Sequence, residues 1–181
     1  MLSSESSVNQ IAVAFHEAGH AVAAHKLGLG FLLKTVRVAT DEEGRGPGVD
    51  LSGDAVWRGC PAIQKPDDVS DEEWLVLRSS PEKWNDWIER DHDKFAIYYL
   101  AGEAAQRHHA PNSLNVTHKT DDSHVQRLVP SERVPRLKEE ADLLITENWS
   151  GVELVASELI RSGRLTGTEV NNLLNRDGRL R

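Results

Sequence analysis

His16, Glu17 and His20 stand in the pattern H-E-x-x-H within "VAFHEAGHAVAAH", residues 13–25. Residues four apart on a helix share one face, so these two imidazoles can be aimed at a single ion. Zinc takes histidine nitrogen at about 2.0–2.1 Å, and a catalytic zinc keeps three protein ligands and one open position for water. Glu17 sits beside the first histidine, where it can take a proton from that water, whose pKa the ion lowers to about 7. The chemistry would be metal-assisted hydrolysis with Zn2+ as cofactor. Five letters alone also occur on helices that merely pack in a core, so the surroundings matter. Ala18 and Gly19 are small where a neighbouring element would have to approach, and the helix is apolar enough to be buried. Two histidines and a glutamate on a buried helix need partners, and an ion would supply one.

The third ligand decides the class of site. One extended zinc pattern places a glycine and a third histidine shortly after the first two, but Lys26 stands where that histidine would be. That class is excluded. The third ligand must come from a distant segment, with a carboxylate the favoured type.

The elements that would hold such a site can be read from periodicity. Val8, Ile11, Ala12, Phe15, Gly19 and Val22 recur at helical spacing over residues 7–27, and Gly28 and Gly30 supply a stop. "LKTVRVAT" (33–40) is β-branched and alternating, a strand, and "VDLSG" is a short strand returning beside it. Residues 41–90 form an insertion holding Trp57, Trp74, Trp84 and Trp87, with short helices at "SDEEWLVLRS" and "SPEKWNDWIERD". These tryptophans more often pin such a segment to its domain than face a ligand.

A second long helix runs from Asp91 through "KFAIYYLAGEAAQRHH", where Ala101, Gly102, Ala104 and Ala105 allow another helix to come close. A third begins in "TDDSHVQRLV" with Thr120 as cap, and helices follow over 135–148, 150–163 and in "TGTEVNNLL". The expected fold is mainly α (α+β): one domain over 1–181, with a small β-sheet or hairpin near the N-terminal third.

The 181 residues suffice for an ordinary core without staples. Net charge is −8 and the pI about 5.5, which argues against nucleic acid and offers little to an anionic membrane surface. Cys60 is the sole cysteine, so no intramolecular disulfide can form and a reducing compartment is expected. The start lacks a secretory signal, and charges interrupt the most apolar span, so a soluble, cytoplasmic protein is expected.

With these segments in view, "AFHEAGHAVAAHKLG" resembles the peptidase domain of the FtsH-type, membrane-bound AAA proteases. In order along the chain, "IYYLAGEAAQR" is similar to that family's "LAGRAAEE" helix, and "TDDSHVQRLV" to the segment around its third zinc ligand. "LLITENWSGVELVASELIRSGRLTGTEVNNLL" resembles its C-terminal helices. The matches cover about two thirds of the chain and leave out residues 41–90.

The resemblance implies a zinc metallopeptidase in which His16, His20 and an aspartate hold the metal and Glu17 is the base. In the family the aspartate is followed by apolar or small residues four, seven and eight positions on. Val125, Leu128 and Val129 fit that frame from Asp121; from Asp122 the frame gives Gln126, Val129 and Pro130. Asp121 is therefore preferred and Asp122 kept as the alternative, either being equally able to serve only as a helix-start aspartate. Glu103 ranks third, because it stands where the family usually has arginine.

His25 lies about 140° around the helix from His20, off the metal face. His92, His108, His109, His118 and His124 read as solvated, although His118 or His124 could hydrogen-bond a reaction intermediate near Asp121. Unlike the family, the chain shows no anchor and no G-x-x-x-x-G-K-[ST] phosphate loop, so no ATP is expected to bind. The implied substrates are peptides or unfolded, flexible segments, met alone, as a homo-oligomer or through a delivery partner. The strand at Thr35 is the candidate edge for an extended substrate. The alternative function is a non-catalytic, zinc-stabilised protein-binding module.

Overall fold

The histidine pair lies on α1 (Ser4–Lys26), in which every residue from 12 to 24 is buried. A helix buried all round must be covered by several neighbours. In the computed structural model, which describes residues 4–29, 33–38, 47–51, 56–57, 60–61, 70–72, 76, 81–111 and 118–177, these are chiefly two other helices. One is α2 (Pro81–His109); the other is α5 (Trp149–Ser162), which follows α3 (His118–Leu128) and α4 (Val134–Glu147). The last helix is α6 (Gly167–Asp177). The strands are β1 (Leu33–Arg37), β2 (Gly48–Leu51), β3 (Val56–Trp57), β4 (Cys60–Pro61) and β5 (Arg164–Thr166). The fold is mainly α (α+β), with one small three-stranded antiparallel sheet and a short β3–β4 ladder among the described residues.

The crossing of α1 and α2 is close because both faces are small. A side chain at Gly19 would run into the carbonyl oxygen of Ala101 and come within 2.6 Å of the Ala105 Cβ. On the other side of α2, α4 packs through Leu137, Ala141 and Ile145, one turn apart. Asp93 reinforces that contact by accepting hydrogen bonds from Arg133 at 2.5 Å and Arg136 at 2.9 Å.

Several elements differ from their sequence expectations. The two helices read over 81–109 are one continuous α2. The run "ERDHDK" between them is charged but contains no glycine or proline, and charge alone breaks no backbone hydrogen bond. Helix α3 begins at His118, so Thr120 lies inside it and Asp121 falls in the first turn. In residues 41–90 the described parts include the β3–β4 ladder; the side chains of Trp57, Trp74, Trp84 and Trp87 lie outside the described residues.

The sheet corrects a further expectation. β2 returns antiparallel to β1, as its sequence suggests, with Val36 opposite Val49. The other side of β1 is taken by β5, which pairs Val36 with Leu165. β1 is therefore the central strand and offers no free edge to a substrate. At three residues β5 is too short to show an alternation of its own. The chain enters it through Gly163, whose φ of 76° closes α5 in the left-handed region that glycine adopts without strain.

Leaving β5, the chain is held by a reciprocal cap. The Thr166 N–H donates to the Glu169 carboxylate at 2.7 Å, and the Glu169 N–H donates to Thr166 Oγ1 at 3.3 Å. Thr166→Ala removes that cap and is expected to cost about 1 kcal/mol of unfolding free energy, read as a lower urea midpoint at unchanged m-value.

Candidate metal centre

One turn of α1 brings the His16 and His20 rings together nearly edge to face, with centroids 4.7 Å apart. From α3, 105 residues further on, Asp121 meets both. Its Oδ2 lies 3.1 Å from His16 Nε2 and 3.4 Å from His20 Nε2, and the two nitrogens are 3.0 Å apart. An ion held tetrahedrally at about 2.0 Å sets its ligand atoms about 3.3 Å apart. The triangle therefore has the dimensions such an ion needs. Hydrogen bonds account for it less well, because each Nε2 has one in-plane position and faces two partners. The His16–His20–Asp121 cluster can hold a metal ion.

The second nitrogen of His20 is engaged behind the site. His20 Nδ1 lies 2.7 Å from the carbonyl oxygen of Tyr98 on α2. A carbonyl only accepts, so Nδ1 carries the proton and donates it. Neutral His20 then presents the lone pair of Nε2 towards His16 and Asp121, the form a metal requires.

Glu17 follows His16 on the same turn and is 4 % exposed, against 1 % for His16 and 4 % for His20. Three ionisable side chains are thus almost wholly removed from water, where burial disfavours the charged form. Burial pushes the Glu17 carboxyl up to about 7; Asp121 adds to the rise, while His20 and Arg37 oppose it. Burial would lower His20, but the hydrogen bond and charge of Asp121, helped by Glu17, raise it to about 9. Burial likewise opposes ionisation of Asp121, yet its bonds to His16 and His20 hold it well below the usual carboxylate range. Metal-free, Glu17 and His20 hold their protons more tightly than they would in water, and Asp121 less so.

That has a pH signature. His20 raised from 6.5 to about 9 contributes stability that is full below pH 6.5 and lost as pH rises through 9. Glu17 raised from 4.5 to about 7 acts in the same direction across its own interval. Asp121, being lowered, contributes above its ordinary 3.8 and loses its contribution only in acid. The melting temperature of the metal-free protein is therefore expected to fall between pH 6.5 and 9 more steeply than that of His20→Gln, which lacks the titrating imidazole. Parallel curves in a calorimetric pH series would count against this assignment of protons.

The remaining candidates lie elsewhere. Asp122 is exposed and takes no part in the cluster. Glu103 pairs with Arg107 at 3.1 Å and Lys138 at 3.8 Å. His25 meets Asn171 at 2.9 Å. His124 stacks on Tyr99 with centroids 4.6 Å apart, and the side chain of His118 lies outside the described residues.

His108 and His109 are exposed, as their polar context suggests, and they also flank an aromatic column. His109 stacks on Phe15 at 3.7 Å, Phe15 on Trp149 at 5.5 Å, and His108 lies against Trp149 at 4.1 Å. Their neighbours come from other helices and could not be inferred from local polarity.

Two participants had no distinct signal in the sequence. The Tyr98 carbonyl is a backbone atom, invisible to residue type. Arg37, 4 % exposed on β1, acts on Glu17 through its charge but reads in sequence as an ordinary strand residue.

Among the described residues no helix is long and apolar enough to cross a membrane. In comparison with known proteins, no family model and no curated protein matches the chain.

Proposed function

We propose that the protein is a zinc-dependent, ATP-independent metallopeptidase of the FtsH type, cutting peptides or unfolded and flexible segments. The observation that carries this reading is the meeting of His16, His20 and Asp121 at ligand spacing beside the buried carboxyl of Glu17. A purely structural zinc site has no use for a base, whereas a hydrolytic one requires it.

His16, His20 and Asp121 would hold the ion. Bound there, zinc supplies Lewis acidity. Glu17 takes a proton from the attacking water and delivers it to the leaving amine nitrogen, so that one carboxylate serves both halves of the reaction. Arg37 draws Glu17 towards its ionised form against the burial that favours the neutral one. Asp121 balances charge at the centre, and Tyr98 keeps His20 in the tautomer that binds metal. Since β1 is paired on both sides, an extended substrate would have to pair along an outer edge of β2 or β5. The sole cysteine, Cys60, accords with a reducing, cytoplasmic setting.

The test is digestion of a mixed, unstructured peptide library by the zinc-loaded protein, with and without a chelator. Cleavage that stops with the chelator and returns with zinc supports the reading. Zinc binding without cleavage of any peptide would turn it towards a zinc-stabilised binding module.

A further inference from the structure

We propose that Gly102 is a positioning residue of the metal centre: the turn of α2 from Tyr98 to Gly102 forms the seat of the His20 imidazole. The carbonyl of Tyr98 orients the ring, and the missing side chain of Gly102 gives it room. This rests on reading the cluster as a metal site and adds to it a residue that supplies no ligand atom.

A Cβ at Gly102 would run into His20 Nε2 and would stand 2.6 Å from His20 Cε1 and 2.8 Å from His16 Cε1. Separations under 3.0 Å are essentially never seen for real Cβ atoms, so something would have to shift. The obstructed atoms lie on both rings, on the edges that meet Asp121. These rings are not free ends that could swing aside. His20 is 4 % exposed and tied at Nδ1 to Tyr98; His16 is 1 % exposed. Any displacement of His20 that cleared a methyl group at 102 would lengthen the bond to Tyr98 or move Nε2 away from Asp121.

The two parts of the seat belong together by helix geometry. In an α-helix the N–H of residue 102 bonds the carbonyl of residue 98, so His20 approaches that carbonyl alongside the backbone of residue 102. Glycine is a poor choice for a helix interior relative to alanine, and its use here calls for a local reason. Gly19 offers a contrast, since a side chain there would meet the backbone of α2 and Ala105. Gly19 makes room for a helix; Gly102 makes room for two ligands.

The experiment compares wild type with Gly102→Ala. Zinc affinity is measured by competition with a chromophoric chelator, helix content by circular dichroism, and the His20 ring by 15N-edited NMR. Helix content should persist while the zinc Kd rises about 10- to 100-fold, the usual effect of losing a supporting partner. The exchange-protected Nδ1–H signal of His20, expected in the wild type with or without zinc, should be lost. An unchanged Kd together with a retained Nδ1–H signal overturns the proposal. If Gly102→Ala does not fold, the wild-type spectrum decides: a protected Nδ1–H supports the seat, and a freely exchanging one overturns it. A wild type that shows the protected signal yet binds no zinc would sink the peptidase reading. The effect of Gly102 on His20 would still be read from the NMR, so the two failures are distinguishable.

Discussion

Glu17→Gln is expected to slow peptide hydrolysis by about 10²- to 10⁴-fold, the usual worth of a positioned general base, while zinc content stays at the wild-type level. The substitution keeps the size and shape of the side chain. It also resembles a state the metal-free protein already visits, because burial holds the carboxyl up to about 7 and leaves much of it neutral near neutrality. Folding should therefore be little disturbed, and the loss should lie in kcat at full zinc occupancy. Hydrolysis at the wild-type rate would remove Glu17 from the proton path. Loss of zinc alongside activity would make the carboxyl part of the metal's support.

The second large effect is expected at Asp121. Asp121→Ala leaves two imidazoles facing each other with their nitrogens 3.0 Å apart and removes the carboxylate that meets both. Zinc affinity should fall by more than the roughly 10- to 100-fold that loss of a supporting hydrogen bond costs. The raised pKa of His20 should collapse too, since Asp121 is its principal upward influence against burial. Asp122→Ala serves as the matched comparison: it removes a neighbouring carboxylate of the same charge that is exposed and outside the cluster. Metal analysis of the two purified variants at one free zinc concentration decides between them. Equal occupancy in both would sink the assignment of the third ligand.

The part of this site that was legible in the sequence is the part set by short-range geometry. His16 and His20 can be placed on one face because four residues make about one helical turn. The preference for Asp121 over Asp122 rests instead on the resemblance, whose frame asks for apolar residues four, seven and eight positions on; Val125, Leu128 and Val129 are buried, which turns Asp121 inward. Helix positions were mostly readable from the same short-range geometry. What could not be read depends on contacts between distant segments. β5 becomes a strand by pairing with β1, and its three residues say little by themselves. That pairing makes β1 a central strand although its sequence would suit an edge equally well. The continuity of α2 through "ERDHDK" was obscured by polarity, which resembles a linker when no breaker is present.

The spans between the partners bear on time as well as on equilibrium. Tyr98 lies 78 residues from His20 in sequence, and Asp121 lies 105 from His16. No fragment short of the docked α1–α2–α3 assembly brings those atoms together, so the centre is expected to form late, after the costly loop closures are complete. Interactions absent from the folding transition state act on escape from the native state and leave the rate of reaching it almost unchanged. An ion held there would accordingly lengthen the folded lifetime, by roughly a hundredfold at a free concentration about 100 times Kd, and the bare chain would fold as fast but leak open far more often.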